Sequence, residues 1–141
     1  MVRLLIIAGV LFAGSVVLSC QSYSTGLQQS VARADETSAM VALKTIYAAQ
    51  QAYALSNGGA YATIQQLCAG GYLDERFNCS SPQIKDYVLS MEVGANSYRL
   101  NADPTRAGEQ AGRHLYIDST SPLIRVNPTQ PATASDPLMQ P

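Results

Sequence analysis

The sequence predicts an α+β domain in which one long N-terminal helix packs on a small antiparallel sheet. Three observations carry that expectation: a helix-forming run from about Leu27 to Asn57, a strong stop at Asn57-Gly58-Gly59, and two pairs of short strand-like segments beyond Pro82. The strands all follow the helices, which is the order of an α+β chain and not of alternating β-α units. With 141 residues and a formal net charge of −1, the chain has room for one such domain.

The chain opens with Arg3 and the apolar and small residues Leu4 to Leu18, LLIIAGVLFAGSVVL, followed by Ser19 and Cys20. A short positive start and an apolar stretch of about 15 residues have the profile of a secretory signal and fall short of the roughly 20 that span a bilayer. Val17-Leu18-Ser19-Cys20 resembles a bacterial lipobox. The resemblance implies a signal peptide over 1–19 and acyl chains, palmitate among them, on Cys20, which becomes the new N-terminus. Each buried methylene contributes about 0.8 kcal/mol, so two or three chains hold a protein on a membrane. Gln21 lacks the aspartate that favours inner-membrane retention in enteric bacteria, so the anchor is expected in the outer (or inner) membrane, with the domain in the periplasm or on the cell surface. The other reading of this stretch is an uncleaved signal anchor that ends in a cysteine.

Residues 20–30 read as an anchor-proximal linker or helix start, and 31–126 as the domain. The long run has no proline or internal glycine and is rich in Ala, Gln, Leu, Met, Lys and Arg, all strong helix formers. Met40, Leu43, Ile46 with Tyr47, and Tyr53 with Ala54 recur at three-to-four spacing, interrupted by Gln50, while Glu36, Lys44 and Gln51 lie off that stripe. A second, short helix follows. Thr63 is placed to cap it, Gln66 stands at the capping-box position, and Gly70-Gly71 closes it.

The stretch through Pro82 reads as irregular. Tyr87–Val93 and Ser97–Ala102 form a predicted hairpin around Gly94-Ala95-Asn96, and Arg113–Asp118 pairs with Leu123–Val126 across Ser119-Thr120-Ser121-Pro122. From Asn127 the chain, NPTQPATASDPLMQP, holds four of the 7 prolines and few core-forming residues, so 127–141 is expected to be a disordered Pro/Thr-rich tail.

The segment Ser38–Tyr53 resembles the amphipathic half of the long helix in type IV pilins and type II secretion pseudopilins. Leu43, Lys44, Ile46, Ala49, Gln50 and Tyr53 match the family's pattern residue by residue, and Ala60-Tyr61-Ala62 is similar to the tyrosine-bearing stretch that follows it. Asp86–Leu89, Tyr98–Pro104 and Gly112–Asp118 are similar to strands of pilin-like heads. The match covers roughly residues 30 to 126 and implies a structural or interaction role. A prepilin carries Gly-Phe-Thr-Leu-Ile-Glu before its apolar helix, whereas Arg3-Leu4-Leu5-Ile6-Ile7-Ala8 stands here. The resemblance therefore does not extend to prepilin cleavage or to the glutamate that helps subunits polymerise.

With Cys20 assigned to lipid, Cys68 and Cys79 form an even pair in an oxidising compartment, and a disulfide is expected. Loop-closure entropy puts its contribution at about 3 kcal/mol. The spacing is neither a CxxC redox motif nor a zinc pattern. His114, the single histidine, sits in a predicted strand and reads as a solvated or packed side chain. Asp35-Glu36 and Asp74-Glu75 read as solvated surface, and Asp118 with Ser119 and Ser121 offers too few carboxylates for calcium. Tyr47, Tyr53, Tyr61 and Tyr72 read as packing residues.

No phosphate loop, nucleophile elbow or ligand cluster stands in the sequence, so no catalytic, cofactor-binding or metal-binding residue is expected and the chain does not read as an enzyme. The basic residues are scattered singly, which argues against nucleic acid as a partner. The expected partners are the membrane, through the lipid, and envelope proteins. Three roles fit: a lipid-anchored pilin-like structural or interaction protein, a minor subunit of a pilus or pseudopilus anchored by an uncleaved helix, or a small ligand-binding envelope lipoprotein.

Overall fold

The fold is that of a computed structural model that describes the backbone of residues 2–106, 108 and 111–141, with side chains described from Ser24 onward. The signal peptide expected over 1–19 and the lipidation site Cys20 lie outside the residues whose side chains are described. The elements are α1 (Val2–Ser56), α2 (Ile64–Ala69), a 3-10 turn (Glu75–Phe77), β1 (Gln83–Ile84), β2 (Tyr87–Val93), β3 (Tyr98–Pro104), β4 (His114–Asp118) and β5 (Ser121–Asn127). The strands form one antiparallel meander in the order β1-β2-β3-β4-β5, with α1 laid across one face. The chain is thus α+β, a long helix packed on a small antiparallel sheet.

The buried side of α1 carries Ala39, Ala42, Leu43, Ile46 and Ala49. Three alanines in that set bring the helix backbone close to the sheet, and Leu43 and Ile46 fill the space between. Facing them, the inward residues alternate along each strand: Tyr87 and Leu89 on β2, Tyr98, Leu100 and Ala102 on β3, Leu115 and Ile117 on β4, Ile124 and Val126 on β5. Gln50, which interrupts the apolar stripe in the sequence, is fully buried. Its side-chain amide acts as a two-pronged clamp. Nε2 donates to the Ala62 carbonyl at 2.6 Å and Oε1 accepts from the Ala62 amide at 3.0 Å. The segment leaving α1 is fastened to the helix by this pair, since Ala62 is itself buried and has no water to bond with.

The helix ends at Asn57-Gly58-Gly59, where Gly58 and Gly59 take φ of +65° and +87° and the Gly59 amide returns to the Ala54 carbonyl at 2.8 Å. α2 is capped by the expected box, with Thr63 and Gln66 exchanging side-chain and backbone hydrogen bonds. Cys68 and Cys79 form a disulfide with Cα atoms 6.2 Å apart, tying α2 to the segment after the 3-10 turn. The stretch before Pro82, read as irregular from the sequence, contains that 3-10 turn, capped by Asp74, and β1 begins just beyond it. Both are too short to leave a periodic signal.

The C-terminal segment differs from the expectation of disorder over 127–141. It folds back along β5, the last strand of the sheet: the Val126 amide donates to Pro137 O at 3.0 Å, the Met139 amide to Ile124 O at 2.8 Å, and Arg125 and Leu138 face each other as an antiparallel bridge. Ala132 is buried against the sheet's outer face, and Asn101 Nδ2 donates to its carbonyl at 2.8 Å. Hydrogen bonds to β5 and to Asn101, together with the burial of Ala132 and the partial packing of Met139 on the core, offset its ordering entropy. Composition of the tail alone carries no trace of them.

Candidate interaction surface

The outward face of α1 is the most extended unpartnered feature among the described residues. Leu27, Val31, Ala34, Ser38, Val41, Thr45, Ala48, Ala52 and Leu55 follow one another at alternating spacings of four and three. At 100° per residue this spacing draws a single seam along the helix, the pattern of an a/d contact line. No charged residue falls on it. Leu27 and Val31 are each 51% exposed, Val41 60% and Leu55 89%, so the seam's large residues lie open. Its two hydroxyls are spent within the helix: Ser38 donates to Ala34 O at 3.1 Å and Thr45 to Val41 O at 2.8 Å. The surface presented is therefore small, nearly apolar and poor in free hydrogen-bonding groups.

The middle of the seam borders a groove. Ser38, Val41 and Thr45 form one wall and Phe77 and Ile84 the other, enclosing about 560 Å³. Arg76 and Lys85 also line it. Arg76 is tied back to Asp74 at 2.8 Å, and that hydrogen bond holds the Asp74 carboxyl below the usual carboxylate range. Lys85 occupies the tight turn between β1 and β2 with φ of +51°, an unusual conformation for a residue with a side chain.

Two ties fix how α1 sits. Glu36 reaches the β3–β4 side of the sheet, where it accepts from the Arg113 amide at 2.9 Å and from Arg113 Nη2 at 2.7 Å. The sequence reading of Glu36 as solvated surface is thereby corrected: its side chain is only 14% exposed. That hydrogen bond pushes the Arg113 guanidinium further above its ordinary value. The second tie is the Gln50 clamp. Next to Arg113, Gly112 lies under the Tyr87 hydroxyl, which donates to Arg113 O at 2.9 Å, and a Cβ at Gly112 would overlap that hydroxyl. Burial of Tyr87, reinforced by the Glu36 charge, raises its pKa well above the usual phenol value.

The other residues singled out in the sequence are engaged separately. His114 Nδ1 lies 2.6 Å from Asp103 Oδ1 across the β3–β4 pair, half-buried. Asp118 accepts from the Tyr116 hydroxyl at 3.0 Å and from the Thr120 amide at 2.9 Å, with the Thr120 hydroxyl on the same oxygen. Burial works to raise the Asp118 pKa, but these hydrogen bonds outweigh it and hold the carboxyl below its ordinary value. Tyr53 packs edge-on against Tyr72 with ring centroids 5.5 Å apart, and Tyr61 against Tyr98 at 4.9 Å. The Tyr98 hydroxyl is buried without a hydrogen-bond partner, and burial raises its pKa. Among the described residues no group of three or more His, Cys, Asp or Glu side chains converges as a metal site.

Sequence reasoning missed the seam because the larger inward residues of α1 dominate its periodicity. The signal was present as the uncharged four-three recurrence from Leu27 to Leu55. Fold and surface together define a helix-on-sheet domain with an exposed, uncharged helix face. No protein-family model, curated protein or solved structure matches the chain. Among the described residues no helix is long and apolar enough to cross a membrane.

Proposed function

We propose that this chain is a membrane-anchored, pilin-like structural or interaction protein of the bacterial cell envelope, held by lipid on Cys20 and acting through contacts of its long helix. The observation that carries the reading is the uncharged seam on α1. A solvated helix ordinarily distributes charge around its outer face, and a line of small and apolar side chains sustained over this length suits another helix. The order of a long helix followed by an antiparallel meander supports the same reading, as do the matches of Leu43, Lys44, Ile46, Ala49, Gln50 and Tyr53 to the pilin pattern.

A second reading, a minor subunit of a pilus or pseudopilus retained by an uncleaved N-terminal helix, draws on the same seam and differs in its anchor. A small ligand-binding lipoprotein is less well supported, because Tyr53, Tyr61 and Tyr72 pack edge-to-face against other tyrosines and do not line a common cavity among the described residues.

Intact mass of the protein from the membrane fraction tests the anchor. The expected wild-type species begins at Cys20 with added acyl mass, which Cys20→Ala abolishes; retention of residues 1–19 in both favours the helix-anchored subunit. Ala48→Glu tests the seam. It places a charge mid-seam at an exposed position, so the fold is expected to hold while in-membrane crosslinking to neighbours is lost. Unchanged crosslinking by Ala48→Glu would remove the seam from the proposal.

A further inference from the structure

The tail that covers β5 is held by side chains of the domain as well as by the strand edge. Arg125 Nη1 donates to Asp136 O at 2.7 Å, Asn127 Nδ2 to Asp136 Oδ1 at 2.9 Å, and Asn101 Nδ2 to Ala132 O at 2.8 Å. Asn101 and Arg125 flank Tyr116 on neighbouring strands, so the donors form one outer-face patch beside the edge. The two backbone hydrogen bonds to Val126 and Ile124 complete the seat. Asp136 precedes Pro137, and a residue before proline is biased toward the extended backbone that a strand edge accepts. The arrangement is a built site for a peptide that turns at Thr133–Asp136 and then runs extended through Pro-Leu-Met along the strand edge, filled by the chain's own C-terminus.

We propose that this site also accepts the tail of a second copy, so that neighbouring molecules exchange residues 128–141 across their β5 edges. Exchange is suited to this tail for three reasons. First, the segment buries little: Ala132 is enclosed and Met139 packs partly on the core. Second, residues 128–131 form the connection ahead of the seated Ala132, and extended they span about 14 Å, close to the radius of gyration of roughly 13 Å for a domain of this size. Third, the hydrogen bonds of the seat form whichever copy supplies the peptide, so exchange opens only the Asn127 turn to Thr129 and Gln130 and is otherwise decided by local concentration. On the membrane-anchored reading proposed above, confinement to a membrane surface raises that concentration, though exchange does not require it. Addition of a strand to a sheet edge is a general recognition mode, and an exchanged tail leaves neither copy with an open edge. The inference does not depend on the chemistry of the anchor or on the α1 seam.

Cysteine pairing across the bridge tests it. The hydrogen bonds on either side of Arg125 and Leu138 make them a non-hydrogen-bonded antiparallel pair, with Cα atoms ordinarily about 4.5 Å apart and within disulfide reach. The full-length chain is prepared in detergent in a Cys20→Ser background as Arg125→Cys, as Leu138→Cys, and as the double variant. Under mild oxidation the double variant is expected to close a 125–138 disulfide, verified by peptide mapping. Mixing the two single variants is expected to give a covalent dimer linked 125–138, present in neither variant alone and suppressed by excess synthetic peptide of residues 128–141. Closure of the double variant with no 125–138 dimer in the mixture would confine the tail to its own chain and overturn the proposal. Failure of the double variant to close would remove the site itself.

Discussion

Replacing Gln50 isolates the energetic role of a single buried amide. Gln50→Met keeps most of the side-chain length and volume but can neither donate to Ala62 O nor accept from Ala62 N. Both backbone groups are then left inside the domain without partners, because Ala62 is fully buried. Each orphaned group costs about 1–3 kcal/mol, so the substitution is expected to cost about 2–6 kcal/mol in all. Gln50→Ala adds a cavity and is expected to cost about 1–2 kcal/mol more. For a domain of roughly 100 residues, a loss of about 3 kcal/mol lowers Tm by on the order of 10–25 °C. The chain has no tryptophan and 8 tyrosines, so near-UV circular dichroism of the tyrosines follows the core during thermal or urea unfolding. Gln51→Met, on the exposed face one residue away, is the control and is expected within about 0.5 kcal/mol of wild type. A Gln50→Met variant as stable as that control would refute the clamp.

Two further outcomes follow from the sheet. Gly112→Ala is expected to cost about 1–3 kcal/mol, because the new methyl meets the Tyr87 hydroxyl; adding Tyr87→Phe is expected to recover part of the loss, and a strictly additive double variant by urea denaturation would place the strain elsewhere. Asp118 has a folded pKa below its unfolded value of about 3.9. It therefore binds fewer protons folded than unfolded as pH falls into that range, and its stabilisation is present above about pH 4 and lost as pH drops through the depressed pKa. Acid unfolding of Asp118→Asn is expected to be shallower than that of wild type between these values, and identical acid limbs would contradict the assignment.

Much of the fold was legible because its signals are local. The Thr63–Gln66 capping box, the glycines after Asn57 and the hairpin around Gly94 each depend on residues within a few positions of one another and stand where expected. The turn expected over Ser119–Pro122 instead closes at Ser119-Thr120, with Ser121 already paired to Asp118 and Pro122 inside β5. What escaped was held together across the chain. Gln50 reads as a flaw in an apolar stripe until Ala62 is brought beside it. Glu36 reads as surface until Arg113, 77 positions away, meets it. The tail reads as disordered because Asn101 and Arg125, which hold it, belong to strands whose outer faces a sequence gives no reason to pair with it. The disulfide was legible by counting cysteines, since Cys68 and Cys79 sit within one loop-rich stretch.

The polar ties on α1 have a consequence beyond stability. An amphipathic helix packed only by alanines and aliphatic residues can rotate about its axis at small cost, because such contacts are tolerant of small shifts. Glu36 and Gln50 lie almost four helical turns apart, and each makes directional bonds to a fixed backbone amide, Arg113 and Ala62 respectively. Rotation of α1 would break both. Together they set the angle at which the opposite face meets its surroundings, and that face is the seam from Leu27 to Leu55. Weakening either tie is thus predicted to blur the seam's presentation before it unfolds the domain, and Glu36→Gln is the milder probe. The amide keeps one acceptor oxygen where the carboxylate uses two, and the Arg113 side chain, 46% exposed, remains solvated, which limits the stability loss to about 1 kcal/mol. Seam-mediated crosslinking that weakens in Glu36→Gln while Tm changes little would show that the helix's rotation, and not only its surface chemistry, is specified by these two contacts.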